Sequence, residues 1–164
     1  MCGRARPGHF EGVVEVVGGL LGMLTPQPPL SGGHFIKMYL GKKDYQQVKI
    51  LQDFVLKCFD NVEVVECETV REKDGLAISS RNVRLSKNER KIAINLYKEI
   101  SNAEKNQDDM IKNLQKYPEI KVDYIEIMDA DDLYAISEKT KNILIAGAIF
   151  IGEVRLIDNV VIKI

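Results

Sequence analysis

What the sequence has little of narrows the field first. Three cysteines, Cys2, Cys58 and Cys67, make an odd count without CxxC spacing. That argues against a disulfide frame or a zinc site and for reduced thiols in a cytosolic compartment. Charge of one sign is missing too. Lys and Arg number 23 against 24 Asp and Glu, a net charge of −1, which leaves no electrostatic footprint for nucleic acid or an anionic membrane. Any anion must then be held by a local cluster. Apolar runs are short, and the longest, residues 143–151, falls well below the about 20 residues that span a bilayer. Arg4 and Arg6 precede an apolar segment, but Glu11 and Glu15 interrupt it and no small-residue cleavage site follows. No secretory signal is expected, and the expected location is the cytoplasm. No Ser-His-Asp or Cys-His arrangement has supporting spacing, and with only His9 and His34 present no metal site is expected.

What is present suits a soluble globular protein with one core or two small ones sharing a face. Residues 1–9 read as a loop leading into a helix from about Phe10. Val13, Val14, Val16, Val17, Leu20, Leu21 and Leu24 are too dense for a surface helix and suit an element buried on most sides. Its β-branched residues and Gly18, Gly19 and Gly22 weaken the helix. Residues 25–33, with three prolines and two glycines, exclude helix and strand and read as a linker-like insertion. Residues 34–40 read as a strand. After the turn Gly41-Lys-Lys-Asp44 a helix runs to about Phe59, with Val48, Leu51, Val55 and Cys58 in one stripe widened by Phe54. The β-branched run 62–68 is a second strand. Strand, helix, strand is a βαβ unit with parallel strands.

Beyond residue 85 the character changes. Ser86-Lys-Asn-Glu89 is a capping box. The helix it starts carries Ile92, Ala93, Leu96, Tyr97 and Ile100 on one face. A polar break at 102–109 precedes a second helix at 110–117, ended by Pro118. Strands follow at 121–128, 142–150 and 155–164, the middle one apolar throughout and therefore central. Short connections make this an antiparallel α+β module. The expected organisation is an α/β unit over 1–70, a hinge over 71–84, and an α+β domain over 85–164.

Three stretches carry candidate chemistry, each with a bland alternative. Gly41-Lys42-Lys43-Asp44 stands where a strand ends and a helix begins. Free N–H groups and lysine charge attract anions there, yet a solvent-facing charged turn reads the same way. Gln46 and Gln47, in the first turn of that helix, can donate to and accept from a hydroxyl or carboxylate, or simply be solvated. Ile78-Ser-Ser-Arg-Asn82 offers two hydroxyls and a guanidinium to a phosphate. Alternatively the serines bond the local backbone and Arg81 forms a surface pair. Arg4, Arg6 and His9 form a basic cluster able to complete an anion pocket, though His9 could equally stack or cap.

Four segments in order, Arg6-Pro-Gly-His-Phe10, Gly41-Lys-Lys-Asp-Tyr-Gln-Gln47, Thr69-Val-Arg-Glu-Lys-Asp-Gly-Leu-Ala-Ile-Ser-Ser-Arg-Asn82 and Arg155-Leu-Ile-Asp-Asn159, strongly resemble the pantothenate synthetase (pantoate–β-alanine ligase) family. The resemblance implies a nucleotidyltransferase-like, partly Rossmann-like domain followed by a small C-terminal domain, in a homodimer. It implies an acid–amino-acid ligase that uses MgATP to form pantoyl adenylate, from which the amine of β-alanine displaces AMP. Carried over by position, Gly41, Lys42, Lys43 and Asp44 bind ATP and Gln47 holds pantoate. Val70 and Ile78 lie around the adenine, and Ser79, Ser80 and Arg81 bind phosphates. Lys43 and Arg81 take the catalytic roles, and Arg6 and His9 lie near the substrate end.

Two departures qualify the likeness. The family's N-terminal half, with its His-x-Gly-His segment, has no counterpart in these 164 residues. The stretch between His9 and Gly41 is also longer than the family's, the excess coinciding with residues 25–33. The expectation is a C-terminal portion inactive by itself. The alternative is a non-catalytic module that pairs with a full-length enzyme or with a separately encoded N-terminal half.

Overall fold

The computed structural model describes residues 9–24, 36–102 and 104–164. Arg6, His34, the Pro/Gly-rich stretch 25–33 and the side chain of His9 lie outside the described residues. The chain forms two compact units, Met1–Glu68 and Thr69–Ile164. Among the described residues no helix is long and apolar enough to cross a membrane.

In the first unit, strand β1 (Ile36–Gly41) pairs in parallel with β2 (Val62–Cys67), from Ile36 opposite Val62 to Gly41 opposite Cys67. The connection contains one 3-10 turn, Lys42–Asp44, and helix α2 (Tyr45–Cys58). This is the βαβ unit that the alternation of patterns predicts. Val48, Leu51 and Val55 are buried, as their spacing requires. Cys58, placed in the same stripe by spacing, is instead exposed, and Tyr45 at the helix start is buried in its stead. Helix α1 (His9–Leu24) forms despite its glycines. At Gly18 a Cβ would lie 3.0 Å from the ring of Phe54, so the absent side chain lets α1 approach α2 closely. The expectation that α1 is buried on most sides fails. Among its described side chains Leu21 is buried, while Val16, Leu20 and Met23 are exposed; among the described elements α2 is the main one that packs on it.

The second unit has an antiparallel sheet in the order β3 (Ile120–Asp129), β4 (Asn142–Ile151), β5 (Val154–Lys163). The apolar strand β4 is central, as predicted. Helices α3 (Lys87–Ile100) and α4 (Gln107–Leu114) cover one face. The capping box is present: the Glu89 N–H donates to Ser86 Oγ at 3.3 Å and the Ser86 N–H to Glu89 Oε2 at 2.8 Å. Helix α4 begins three residues earlier than its apolar pattern suggests. Asn106 supplies the cap by accepting from the Asp109 N–H at 2.9 Å, so the supposed polar break contains the first turn. Leu96, Ile100, Met110, Leu114, Ile125 and Ile149 form the heart of the core, each worth about 2 kcal/mol when fully buried.

Helix α3 and the neighbouring strand β3 both press on Gly147 in β4. A Cβ there would lie 2.6 Å from Ile125 Cδ1 and 2.9 Å from Leu96 Cδ1. Both neighbours are nearly fully buried, so neither side-chain end has free space to swing into. Gly147→Ala is expected to destabilise the Thr69–Ile164 unit by about 1–3 kcal/mol. A urea titration should record a lower midpoint with an unchanged slope; an unchanged midpoint would contradict this packing.

Candidate functional site

The predicted site residues fall into two groups, one in each unit. In the first unit the group follows the carboxyl end of β1. Gly41 is extended at φ −76°, and a Cβ there would meet nothing within 4 Å among the described residues. Its missing side chain therefore leaves open space beside the turn instead of relieving strain. Lys42 reaches the end of β2, with its Nζ 2.6 Å from Glu68 and 3.5 Å from Glu66. The hydrogen bond to Glu68 pushes the pKa of this amine above the ordinary lysine value. Two carboxylates thus already surround Lys42. Glu66 also accepts from Gln52 Nε2 at 2.8 Å and lies 3.8 Å from Lys49, so it ties β2 to α2. Lys43 is half-buried in the same 3-10 turn. Asp44 stands at the N-terminal boundary of α2 without capping it through its side chain, and Gln47 is half-buried one turn further on.

In the second unit the group lies on a small hairpin. Arg71 and Ala77 form an antiparallel bridge. Next to it the Ile78 N–H donates to the Val70 carbonyl at 2.9 Å, and the Glu72 N–H to the Leu76 carbonyl at 2.9 Å. The reversal needs a left-handed residue, supplied by Gly75 at φ +92°. Residues opposed across an antiparallel pair share a face. Val70 and Ile78 therefore stand together, and they are 68% and 54% exposed. Arg71 and Ala77 point the other way, toward the sheet. The adenine-side residues of the resemblance thus form an exposed aliphatic pair.

The phosphate candidates follow at once. Ser79 Oγ accepts from the Arg81 N–H at 3.2 Å and caps a 3-10 turn, Ser80–Arg84. The bland alternative is therefore realised at Ser79. It is not realised at Arg81, which is exposed and makes no ion pair among the described residues. Ser80 is exposed beside it. Among the described residues no cluster of three or more His, Cys, Asp and Glu side chains is suited to a metal.

Sequence reasoning assigned no role to three residues that hold this group together. Asn82 is buried, and its Nδ2 donates to the Ala77 carbonyl at 3.0 Å. Its Oδ1 is buried without a partner among the described residues. Asp158, in β5, is buried and receives the guanidinium of Arg71 through two bonds, at 2.6 and 2.9 Å. The available signal was a carboxylate at even spacing from the apolar Val154 and Leu156 of the same strand. A charge there needs a buried cation.

A family model described as Pantoate-beta-alanine ligase matches residues 1–161. A pantothenate synthetase of Thermotoga petrophila is 39% identical over 173 aligned residues, covering 99% of this chain and 59% of that protein. The crystal structure of pantothenate synthetase from Thermus thermophilus superposes with a TM-score of 0.78 at 36% identity. It covers 94% of this chain and 56% of that one. A pantoate-beta-alanine ligase structure from Francisella tularensis, described as complexed with beta-gamma ATP and beta-alanine, gives 0.71 at 32% identity, with 98% and 53% covered. The chain thus spans somewhat more than half the length of the relatives it matches.

The hairpin tip generates a test of its own. The Asp74 carboxylate accepts from the Leu76 N–H at 3.2 Å and from Arg90 Nε at 3.1 Å. The backbone bond, followed by Arg90, holds its pKa below the ordinary 3.8. A depressed carboxylate contributes its stabilisation fully above 3.8 and loses it as pH falls through the folded value. A carboxyl NMR titration should place the Asp74 midpoint below 3.8, and Arg90→Ala should move it only partway up. A midpoint at or above the ordinary value would contradict the hairpin.

Proposed function

The chain belongs to the pantoate–β-alanine ligase family, and from that premise we propose that it serves the ATP-dependent condensation of pantoate with β-alanine through a pantoyl adenylate. The observation that carries the ATP reading is the order of groups in residues 70–81. An exposed aliphatic pair, Val70 and Ile78, is followed directly by Ser79, Ser80 and Arg81. That is a flat apolar rest for a base next to donors for phosphate oxygens. The ATP and β-alanine named for the Francisella tularensis structure agree with it.

In the proposed reaction the pantoate carboxylate attacks the α-phosphorus and pyrophosphate leaves. The β-alanine amine then attacks the acyl carbon, AMP leaves, and the amine loses a proton. Negative charge builds on phosphate oxygens in the first step, where Lys43 and Arg81 are the cations assigned to stabilise it. Gly41, with open space at its Cα, and Asp44 line the nucleotide on the β1 side, and Gln47 holds pantoate. Lys42 joins them only by exchanging Glu68 and Glu66 for phosphate oxygens. Residues 71–84 close over the phosphates and keep water from the acyl adenylate, with Arg6 and His9 near the substrate end. Magnesium arrives with the ATP phosphates, and the assembly is a cytoplasmic homodimer.

Turnover in this reading needs groups outside the 59% of the relatives that the chain spans, because these residues contain no His-x-Gly-His. AMP release from ATP, pantoate and β-alanine tests it. Residues 1–164 alone should release negligible AMP. Adding a polypeptide that corresponds to the uncovered part of the relatives should restore it. In that mixture Lys43→Ala or Arg81→Ala should lower kcat by about 100-fold or more. Robust turnover by residues 1–164 alone would refute the requirement, and full activity of either variant would refute the assigned role.

The exposed Val16, Leu20 and Met23 of α1 favour a second reading, a non-catalytic module that pairs through this face with a full-length enzyme. Co-purification with such an enzyme and no nucleotide binding by the chain itself would select it.

A further inference from the structure

From the second unit we infer that Asp158 and Arg71 are positioning residues, fixing the backbone from which Ser79, Ser80 and Arg81 reach a triphosphate. The inference rests on the ATP reading above and assigns a role to the Arg155–Asn159 segment, which that reading leaves without one.

Asp158 lies on β5 at even spacing from Val154 and Leu156, so all three share the face covered by helices. Its side chain is 4% exposed. A well-packed apolar residue at such a position is generally at least as stabilising as a buried ion pair, so stability alone does not account for an acid there. Its geometry does. Arg71 Nη1 donates to Asp158 Oδ2 at 2.6 Å and Nη2 to Oδ1 at 2.9 Å. The same two nitrogens reach the carbonyls of Gly75, at 3.2 Å, and Asn159, at 3.4 Å. Asp158 Oδ1 also accepts from the Asn159 N–H at 2.8 Å. The guanidinium lies 3.6 Å from the centre of the Tyr97 ring on α3. A planar fork with both edges occupied and one face stacked has a single orientation.

From Arg71 the order passes along the hairpin to the phosphate candidates. Arg71 is bridged to Ala77, the Ala77 carbonyl accepts from buried Asn82, and the Asn82 N–H donates to the Ser79 carbonyl at 3.0 Å. Asn82 closes the turn that holds Ser80 and Arg81, and that turn packs on β5. The exposed donors thus stand on a base whose deepest fixed point is a carboxylate.

Calorimetric titration of the 164-residue chain with ATP and, separately, with adenosine tests this. The variants are Asp158→Asn and Arg71→Lys, the second keeping the charge but losing the fork. Both should bind ATP about tenfold more weakly while adenosine affinity changes by less than about twofold, because the Val70–Ile78 pair keeps its own backbone bond whereas Ser80 and Arg81 depend on the turn that Asn82 closes. Hydrogen exchange should quicken at residues 77–84 in the same variants. A purely structural role would weaken ATP and adenosine together, and that outcome overturns the inference. So does normal ATP affinity in a folded variant. Should Asp158→Asn fail to fold, Arg71→Lys decides. An unsubstituted chain that binds no ATP overturns the ATP reading itself, a result distinct from normal binding by both variants.

Discussion

Gly147 sets the distance between α3 and the sheet, and much of the second unit follows from that distance. With no side chain on β4 at this point, Leu96 and Ile100 descend onto the strand. The half-buried residues beside them on α3 are thereby brought level with the hairpin. Tyr97 meets both Arg71 and Gly75, where a Cβ would come within 3.2 Å of the ring. Arg90, two turns earlier, pairs with Glu72 at 2.7 Å and Asp74 at 3.0 Å. The hairpin is thus supported by a helix whose height one glycine determines. Dense packing transmits such a constraint because the interior has little room to absorb it.

Most of the fold was legible because it rests on periodicity. The strand–helix–strand alternation at 36–67 and the apolar run of β4 needed no long-range information. The Ser86 capping box is a local signature with a fixed spacing. What escaped was set by neighbours distant in sequence. Cys58 belongs to the α2 stripe by spacing, yet it sits in the last turn and is exposed. Density of apolar residues suggested a buried α1, but burial depends on how many elements surround a helix. The start of α4 was missed because Asn106 was counted with the polar break, although its side chain is the cap.

The same division holds at the site. Ser79, Ser80 and Arg81 could be picked out as chemistry-bearing groups in a loop. Val70 and Ile78 entered only through the resemblance, since nothing in composition marks two aliphatic residues as a surface pair. Their pairing needs the register of the Arg71–Ala77 bridge. Lys42 was grouped with Lys43 by adjacency, whereas the structure separates them: Lys42 turns to Glu66 and Glu68 at the end of β2. Arg71 and Asp158 are 87 positions apart, too far for any spacing rule.

The Ser86 capping box also has an electrical meaning. A helix start ordinarily draws anions, since its N–H groups and dipole are unsatisfied. At α3 the Ser86 hydroxyl and the Glu89 carboxylate occupy that end, and the bonds from Ser86 hold the Glu89 pKa below its ordinary value. A dianionic group drawn to this loop therefore finds a competing attractor just beyond Asn82 already neutralised. What remains cationic on the 3-10 turn is Arg81, with Arg84 at its far end, so the capping box works as insulation and leaves the attraction to the loop's own side chains.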